Sequence, residues 1–220
     1  MKKYELTTET LQIAGFTLHR IKAVKNFGSV KAGELGGWIE SEENLSQDDN
    51  AWICDEAMVF GNAKVFGNAR VFGNAKILGN AKILGNAIVC GNAQVYDNAR
   101  VCDFSVVNDY AEVSDNACVY GYANVCDNAE VYGNVRIYGN ATIEGDAKVY
   151  NASDYIVFKN FWSSGRYFTW TRSNNMWSVG CFYGTGEELI KKAYADSEKS
   201  GREYERVVRY VESILADEIK

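Results

Sequence analysis

Residues Val59 to Arg70 read VFGNAKVFGNAR, two consecutive copies of a six-residue unit of the form aliphatic-aromatic-Gly-Asn-Ala-polar. The aliphatic position recurs every six residues, without a slip, from Ile53 to Val149. A fixed short period indicates a solenoid, because a unit this small can bury its apolar side only by stacking on its neighbours. The sequence therefore predicts a repeat domain through the middle of the chain.

One unit reads as a short strand followed by a corner. In a strand such as Ala63–Phe66, alternation places the Ala and aliphatic side chains on one side and the polar and aromatic side chains on the other. Ala and the aliphatic residue are the most constant positions, so we expect them to face the core. The following Gly67-Asn68 forms the corner, since Gly and Asn tolerate the positive φ that a sharp corner demands.

This pattern resembles the hexapeptide-repeat, left-handed parallel β-helix superfamily. The resemblance implies an all-β solenoid, a triangular left-handed prism in which three six-residue units complete one coil. The same register followed backward places Ile39, Leu45 and Ala51 in the small inward slot and starts a degenerate first coil near Leu35. Six to seven coils at a strand spacing of about 4.8 Å would make a rod roughly 30 Å long.

A second resemblance lies near the N-terminus. Residues Val30 to Ile39 read VKAGELGGWI, and Asn44 to Gln47 read NLSQ; both look like the entry segment of YdcK-like hexapeptide proteins of bacteria and phages. The resemblance implies the fold and a phage or mobile-element association, with action on a host factor. It implies no particular activity.

The repeat divides the chain into three parts. We expect an N-terminal cap over residues 1–34, the β-helix over residues 35–154 and a small α+β domain over residues 155–220, because the last units of a solenoid need covers over their open strand edges. The predicted elements outside the repeat are strands at Phe16–Val24, Tyr155–Phe158, Tyr167–Arg172 and Trp177–Phe182, a helix from the capping box at Thr185 to Asp196, and a helix from Arg202 to Glu218.

Composition limits the partners and the compartment. The net charge of −6 argues against general nucleic-acid binding and against binding to anionic membranes. No stretch is long and apolar enough to span a bilayer. The six cysteines contain no Cys-x-x-Cys pair, so we expect free thiols, no metal site and a cytoplasmic protein.

Sorting the outward residues by coil gives three faces, and the first is basic and aromatic. It carries Lys64, Phe66, Lys82, Leu84, Arg100, Cys102, Cys118, Tyr120, Arg136 and Tyr138. Arg100, Arg136, Tyr120 and Tyr138 are candidates for binding an anionic, stackable ligand such as a nucleotide. The alternative is that the cations keep the sheet soluble while the aromatic residues pair along the ladder.

Large aromatic residues replace Asn at some corners. Phe104 and Tyr122 occupy equivalent positions on successive coils, so we expect them to stack at one corner; Tyr110 occupies another. A contact with another part of the chain or a partner explains them, and a ligand-stacking site is the alternative. The corner pairs Asp97/Asp115 and Asp109/Asp127 are expected to serve ordinary turn chemistry rather than a cation.

The third face is nearly uncharged in its middle. Its candidate interface residues are Trp52, Phe72, Ile88, Cys90 and Val106. A contiguous apolar strip is rarely left exposed, so we expect the C-terminal domain or another subunit to cover it. We favour self-association as a dimer or trimer; the alternative is that strands simply favour such residues.

Catalytic motifs are missing from the sequence. The single histidine, His19, precedes the coils, whereas hexapeptide acyltransferases use a histidine base, and three zinc-binding histidines cannot be supplied. We therefore expect a rigid, non-catalytic binding or scaffold protein without a cofactor, whose partner is a protein or a second copy of itself. The alternatives are an acyltransferase-like enzyme with a composite site at a subunit interface, and a nucleotide-binding protein.

Overall fold

The structure, a computed structural model, describes residues 2–218. It opens with a hairpin of β1 (Tyr4–Ile13) and β2 (Phe16–Ala23), followed by β3 (Leu35–Ile39) and a short 3-10 helix, Glu42–Asn44. β2 pairs antiparallel with both β1 and β3. β3 then pairs in parallel with the first coil, so the hairpin extends one sheet of the solenoid beyond its N-terminal end.

The repeat forms two-residue strands, one in each unit. They are β4 (Trp52–Ile53), β5 (Met58–Val59), β6 (Lys64–Val65), β7 (Arg70–Val71), β8 (Lys76–Ile77), β9 (Lys82–Ile83), β10 (Ile88–Val89), β11 (Gln94–Val95), β12 (Arg100–Val101), β13 (Val106–Val107), β14 (Glu112–Val113), β15 (Cys118–Val119), β16 (Asn124–Val125), β17 (Glu130–Val131), β18 (Arg136–Ile137), β19 (Thr142–Ile143) and β20 (Lys148–Val149).

Three parallel sheets form the walls of the prism. The first face is β6-β9-β12-β15-β18, the second is β3-β5-β8-β11-β14-β17-β20, and the third is β4-β7-β10-β13-β16-β19. Each of the strands β4–β17 pairs with the strand three units further along the chain, as in Arg100 opposite Cys118, so three units complete a coil. The predicted β-solenoid is confirmed, with about six coils.

The prism interior is filled by the two constant positions of the repeat. Ala81, Ala87 and Ala93 are fully buried, as are the aliphatic residues that alternate with them. Ser105 takes the Ala slot once, and its Oγ donates to the carbonyl oxygens of Cys102 at 2.7 Å and Val119 at 3.2 Å. A hydroxyl is therefore tolerated in the core because nearby backbone carbonyl oxygens accept its proton.

The corners use their two residues differently. Only the first corner residue has a positive φ, for example 75° at Gly67 and 55° at Asp115, so Asn is not the left-handed residue. The Asn side chains instead form ladders between coils, with Nδ2-to-Oδ1 distances of 3.1–3.2 Å. The corner aspartates accept backbone N–H groups one coil later, as Asp115 does from Gly133 at 2.9 Å.

The backward register predicted for the first coil is wrong. Ile39 pairs with Val59, and Leu45 with Val65, so both occupy the aliphatic slot rather than the small one. Only Ala51 keeps the regular spacing of three units to its equivalent on the next coil, Ala69. A short insertion is accommodated before Ala51, because Ile and Leu would overpack a slot that Ala fills elsewhere.

A separate domain closes the C-terminal end. After the 3-10 helix Ala152–Asp154 come β21 (Tyr155–Lys159), β22 (Tyr167–Thr171), β23 (Met176–Val179), β24 (Phe182–Gly184), α1 (Gly186–Asp196) and α2 (Glu198–Glu218). The strands form an antiparallel sheet in the order β21-β22-β23-β24. The predicted third strand is broken by a turn at Gly180, whose φ is 62°, and α2 begins earlier than predicted.

Strand β21 joins the C-terminal domain to the rod because its side chains point alternately toward the two hydrophobic cores. Tyr155 and Val157 pack on the prism core, whereas Ile156 and Phe158 pack on the second core under the two helices. Within residues 2–218, no helix is long and apolar enough to cross a membrane.

Candidate functional site

A cleft of about 810 Å³ lies where the first face meets the C-terminal domain. Its wall on the rod comes from the last coil, around β18, and its opposite wall comes from β21 and β22. The lining residues are Asn134, Val135, Arg136, Tyr138, Gly139, Asn140, Tyr150, Asn151, Ala152, Tyr155, Ile156, Val157 and Tyr167. This volume is in the range of small-molecule binding sites.

The cleft exists because the chain leaves the repeat one strand before the first face would gain another. After β20 the 3-10 helix turns the chain, and β21 pairs with β22 instead of with β18. In consequence β18 is the terminal strand of its sheet and, among the described residues, pairs only with β15. A terminal strand leaves backbone groups that need partners.

On the other two faces, the C-terminal domain and the turn before it supply acceptors for three of the terminal N–H groups. On β19, the N–H of Thr142 donates to Thr169 Oγ1 at 3.0 Å. On β20, the N–H of Lys148 donates to Ser173 Oγ at 2.7 Å, and the N–H of Tyr150 donates to an Asp154 carboxylate oxygen at 2.9 Å.

On β18, a side chain caps an acceptor, the backbone carbonyl oxygen of Arg136. The Tyr155 hydroxyl donates to the carbonyl oxygen of Arg136 at 2.8 Å and lies beside the N–H of Tyr138. Burial raises the pKa of Tyr155 to about 12, so this hydroxyl keeps its proton at neutral pH. The carbonyl oxygen of Arg136, which faces the C-terminal end of the rod, is therefore already hydrogen-bonded.

Three donors of the same wall bond to no other group within residues 2–218. In the preceding coil, the N–H groups of Cys118 and Tyr122 donate to carbonyl oxygens of the last coil, at 2.9 and 2.7 Å. The equivalent N–H groups of Arg136 and Asn140 point to the end of the rod, where no strand follows. The Asn ladder likewise ends at Asn134, whose Oδ1 accepts at 3.1 Å while its Nδ2 has no acceptor.

Tyrosine rings and cations complete the cleft. Tyr138 stacks on Tyr120 with ring centres 5.6 Å apart, and Tyr150 and Tyr167 contribute further rings. The Lys159 ammonium lies 5.6 Å from the ring centre of Tyr167. The lining contains one charged side chain, the guanidinium of Arg136, which makes no ion pair within residues 2–218, and it contains no carboxylate.

Two of the ligand-binding candidates from the sequence, Arg136 and Tyr138, line the cleft, and Tyr120 supports Tyr138. Arg100 belongs to the same sheet but lies two coils below. Sequence reasoning missed Asn134, Tyr150, Tyr155 and Tyr167. The sequence does show that the repeat ends after Val149. From this end one could have predicted that the strand containing Arg136 has no equivalent strand one coil later.

The corner candidates form a separate feature. Phe104 and Tyr122 stack with ring centres 5.1 Å apart and an interplanar angle of 8°, as their spacing predicted. They are 52% and 64% exposed, so the two rings lie against each other and no other described segment covers them. Tyr110, at another corner, is 63% exposed.

The candidates on the third face are only partly accessible. Trp52 is fully buried beneath the N-terminal cap, with its ring centre 6.3 Å from that of Tyr4 and 5.3 Å from that of Phe27. It is therefore unavailable to a partner. The C-terminal domain reaches this face only at its end, for example through Thr142. The half-buried strip between, formed by Phe72, Ile88, Cys90 and Val106, is covered by no described segment.

A polar cluster lies where the third face meets the C-terminal domain. The ligand atoms of Cys126, Asp127 and Glu144 are within 4.8 Å of one another. Asp127 already accepts the Gly145 N–H at 2.9 Å. Burial, with the nearby carboxylates, raises the pKa of Cys126 to about 12, and a protonated thiol is a poor metal ligand. We assign no metal to this cluster.

His19 lies far from the cleft. It is part of β2 at the N-terminal end of the rod, where its Nδ1 is 3.4 Å from the carbonyl oxygen of Thr7. The cleft is at the opposite end, beyond about six coils. Within one chain, His19 cannot act as a base on a ligand bound in the cleft.

Comparison with curated proteins gives no match. A family model described as YdcK Beta solenoid repeat matches residues 93–108 and 135–151. The second matched segment includes Arg136 and Tyr138, so one wall of the cleft is part of the repeat itself. The YdcK-like resemblance indicated by the sequence is confirmed by these two matches, which lie in the coils; the entry segment, residues 30–47, lies outside them.

Proposed function

We propose that this protein is a non-catalytic binding protein whose ligand site is the cleft at the C-terminal end of the solenoid. The observation that carries the proposal is the cleft, with about 810 Å³ enclosed by tyrosine rings, amides and one unpaired guanidinium. Its rod wall is held by the ladder of β18 on β15. Such a wall is preorganised, which lowers the entropy lost on binding.

The lining supports binding rather than catalysis. It offers no histidine, cysteine, lysine or carboxylate, so general acid–base or nucleophilic chemistry lacks its usual groups. Asp154, which precedes the lining residue Tyr155, has one carboxylate oxygen occupied by the N–H groups of Tyr150 and Asn151.

The proposal includes a cytoplasmic location. All six cysteines are free thiols, which suits a reducing compartment. By resemblance to the bacterial and phage proteins with this entry segment, the biological partner would be a host factor.

A fragment screen by ligand-observed NMR tests the proposal. We expect neutral and charged ring compounds to bind wild-type protein and to be lost from Ala152→Trp, because Ala152 lines the cleft and an indole there would fill it. Ala216→Trp is the matched control, since Ala216 is exposed on α2. Fragments that bind both variants equally, or no fragment binding to wild type, would contradict the proposal.

The runner-up, an acyltransferase-like enzyme with a site at a subunit interface, makes a different prediction. Saturable acetyl-CoA binding in the micromolar range that is lost on His19→Ala would favour it, because His19 is the one imidazole of the chain. Binding that is insensitive to His19→Ala would leave the binding-protein proposal in place.

A second binding function is favoured by the third face. Phe72, Ile88, Cys90 and Val106 form a half-buried, uncharged strip that neither terminal segment covers. Soluble monomers seldom leave such a strip free. We therefore propose that it is a protein-binding surface, with a second copy of the chain as the first candidate partner.

A further inference from the structure

We propose that the cleft selects an anion, a phosphate or carboxylate attached to a planar ring, whose oxygens accept the free donors at the end of the first face. The inference rests on the proposed binding function and specifies its ligand. It follows from how the terminal strands of the three sheets are capped.

The solenoid ends in a surplus of donors. In the lower coils, outward N–H groups donate toward the next coil, and so do the Asn Nδ2 atoms of the corner ladder that runs from Asn62 to Asn134. At the last coil these donors need acceptors. The segment after the repeat supplies an oxygen of Thr169 to one N–H group of the third face, and oxygens of Ser173 and Asp154 to two N–H groups of the second face. Within residues 2–218 it supplies none to the N–H of Arg136, which lines the cleft.

The strand acceptor, in contrast, is already satisfied. The Tyr155 hydroxyl donates to the Arg136 carbonyl oxygen at 2.8 Å. An incoming peptide strand would present an N–H to this carbonyl and find it occupied. A ligand that brings only acceptors fits the wall better, and acceptors without donors are characteristic of carboxylates and phosphates.

Charge favours the same ligand. The Arg136 guanidinium makes no ion pair within residues 2–218, and the Lys159 ammonium lies 5.6 Å from the ring centre of Tyr167, a lining residue. The neighbouring corner residues on the rod wall are Gly133-Asn134 and Gly139-Asn140, whereas other corners of the rod carry Asp. No carboxylate of the lining would therefore repel an anion.

The remaining space requires more than an inorganic ion. The cleft of about 810 Å³ far exceeds the volume of one phosphate or carboxylate group. Tyr138, Tyr150 and Tyr167 present rings on which a planar group can stack. The geometry thus combines a donor-rich end for the anion with an aromatic region for the ring.

Matched ligand pairs measured by isothermal titration calorimetry test the inference. Adenosine 5′-monophosphate is compared with adenosine, and 1-naphthoate with 1-naphthamide, so that the ring is constant while the anion is removed. The first pair tests a phosphate source and the second a carboxylate source. We expect at least one anion to bind about tenfold or more tightly than its neutral partner, with affinity that falls as salt increases.

Protein variants locate the effect. Arg136→Gln should abolish the preference for the anion, whereas Arg100→Gln, an exposed arginine on the same sheet two coils away, should leave it unchanged. Tyr155→Phe should weaken anion binding several-fold and leave the neutral ligands unaffected, because it exposes the Arg136 carbonyl oxygen to the anion. Melting curves of each variant report whether the fold is retained.

The outcomes separate this inference from the proposed function. If adenosine and naphthamide bind as tightly as the anions, and Ala152→Trp blocks them, the cleft is a binding site but the selection of anions is wrong. If Arg136→Gln retains the preference, the donors named here are not its cause. Dissociation constants weaker than about 5 mM for all four compounds would overturn the inference, while the fragment screen judges the binding function independently.

Discussion

Replacing Ala87 by Leu tests the packing of the prism most directly. Ala87 is fully buried, and the residues at the same slot one coil below and above are Ala69 and Ser105, both small and both buried. Its carbonyl oxygen accepts the N–H of Arg70 at 2.9 Å. The added carbons of Leu would therefore project into space that neighbouring strands occupy.

The magnitude follows from how little the coil can relax. Overpacking a core costs about 1–3 kcal/mol when neighbours can shift. Here the strand spacing is fixed at about 4.8 Å by backbone ladders on both sides, so we expect the upper end, about 3 kcal/mol. With a urea m-value of about 2–3 kcal/mol/M, the unfolding midpoint should fall by about 1 M or more.

Urea unfolding followed by circular dichroism measures this shift. Ala216→Leu is the control, because Ala216 is exposed on α2, and its midpoint should match wild type. Val135 occupies the Ala slot in the last coil, where no coil follows, so a larger residue is tolerated there and Val135→Ala should cost far less. An unchanged midpoint for Ala87→Leu would show that the predicted inward register is wrong.

Three further predictions concern a corner, the third face and the N-terminal cap. Asp115→Ala should destabilise the protein by about 1–2 kcal/mol, and Asp115→Gly by less. Both variants lose the hydrogen bond to the Gly133 N–H, but the positive φ at this position is strained for Ala and unstrained for Gly. Equal urea midpoints for the two variants would refute the role of φ. Wild-type protein should sediment as an oligomer and Ile88→Glu as a folded monomer, because the change would bury an unpaired charge in the interface; a monomeric wild type would remove the third-face proposal. Burial lowers the pKa of Lys3 from 10.5 to about 8, so the unfolded chain binds more protons between these values, and stability should rise with pH across that window. The free-energy difference between wild type and Lys3→Met, measured by urea unfolding across the window between these two pKa values, should show this rise; a constant difference would contradict it.

Local regularity explains why the repeat could be predicted. Each unit makes the same contacts with the equivalent units one coil away, so the inward position of residues such as Ala81 and Val65 follows from the period alone. The stack of Phe104 on Tyr122 followed from the same spacing. Where the period is interrupted, at the short insertion before Ala51, extrapolation of the register failed because nothing in the local pattern marks the insertion.

The corners show a subtler limit of the sequence. Gly and Asn were both assigned to the sharp turn, yet only the first corner residue has a positive φ. Asn is retained for a contact between coils, the Nδ2-to-Oδ1 ladder that ends at Asn134. A residue type that suits two roles does not reveal which one it serves until the neighbouring coil is placed.

The sequence by itself determined the solenoid, its three unlike faces and the position of Arg136 and Tyr138 on the basic one, because these follow from a short period and nearest-neighbour stacking. Only the tertiary structure decided that Trp52 lies under the cap and that β21 crosses the end of the rod. That crossing depends on the packing of Tyr155 and Val157 against the prism, a contact outside the repeat. It leaves the N–H of Arg136 on β18, and the neighbouring donors of Asn134 and Asn140, without acceptors among the described residues, and the cleft is the consequence.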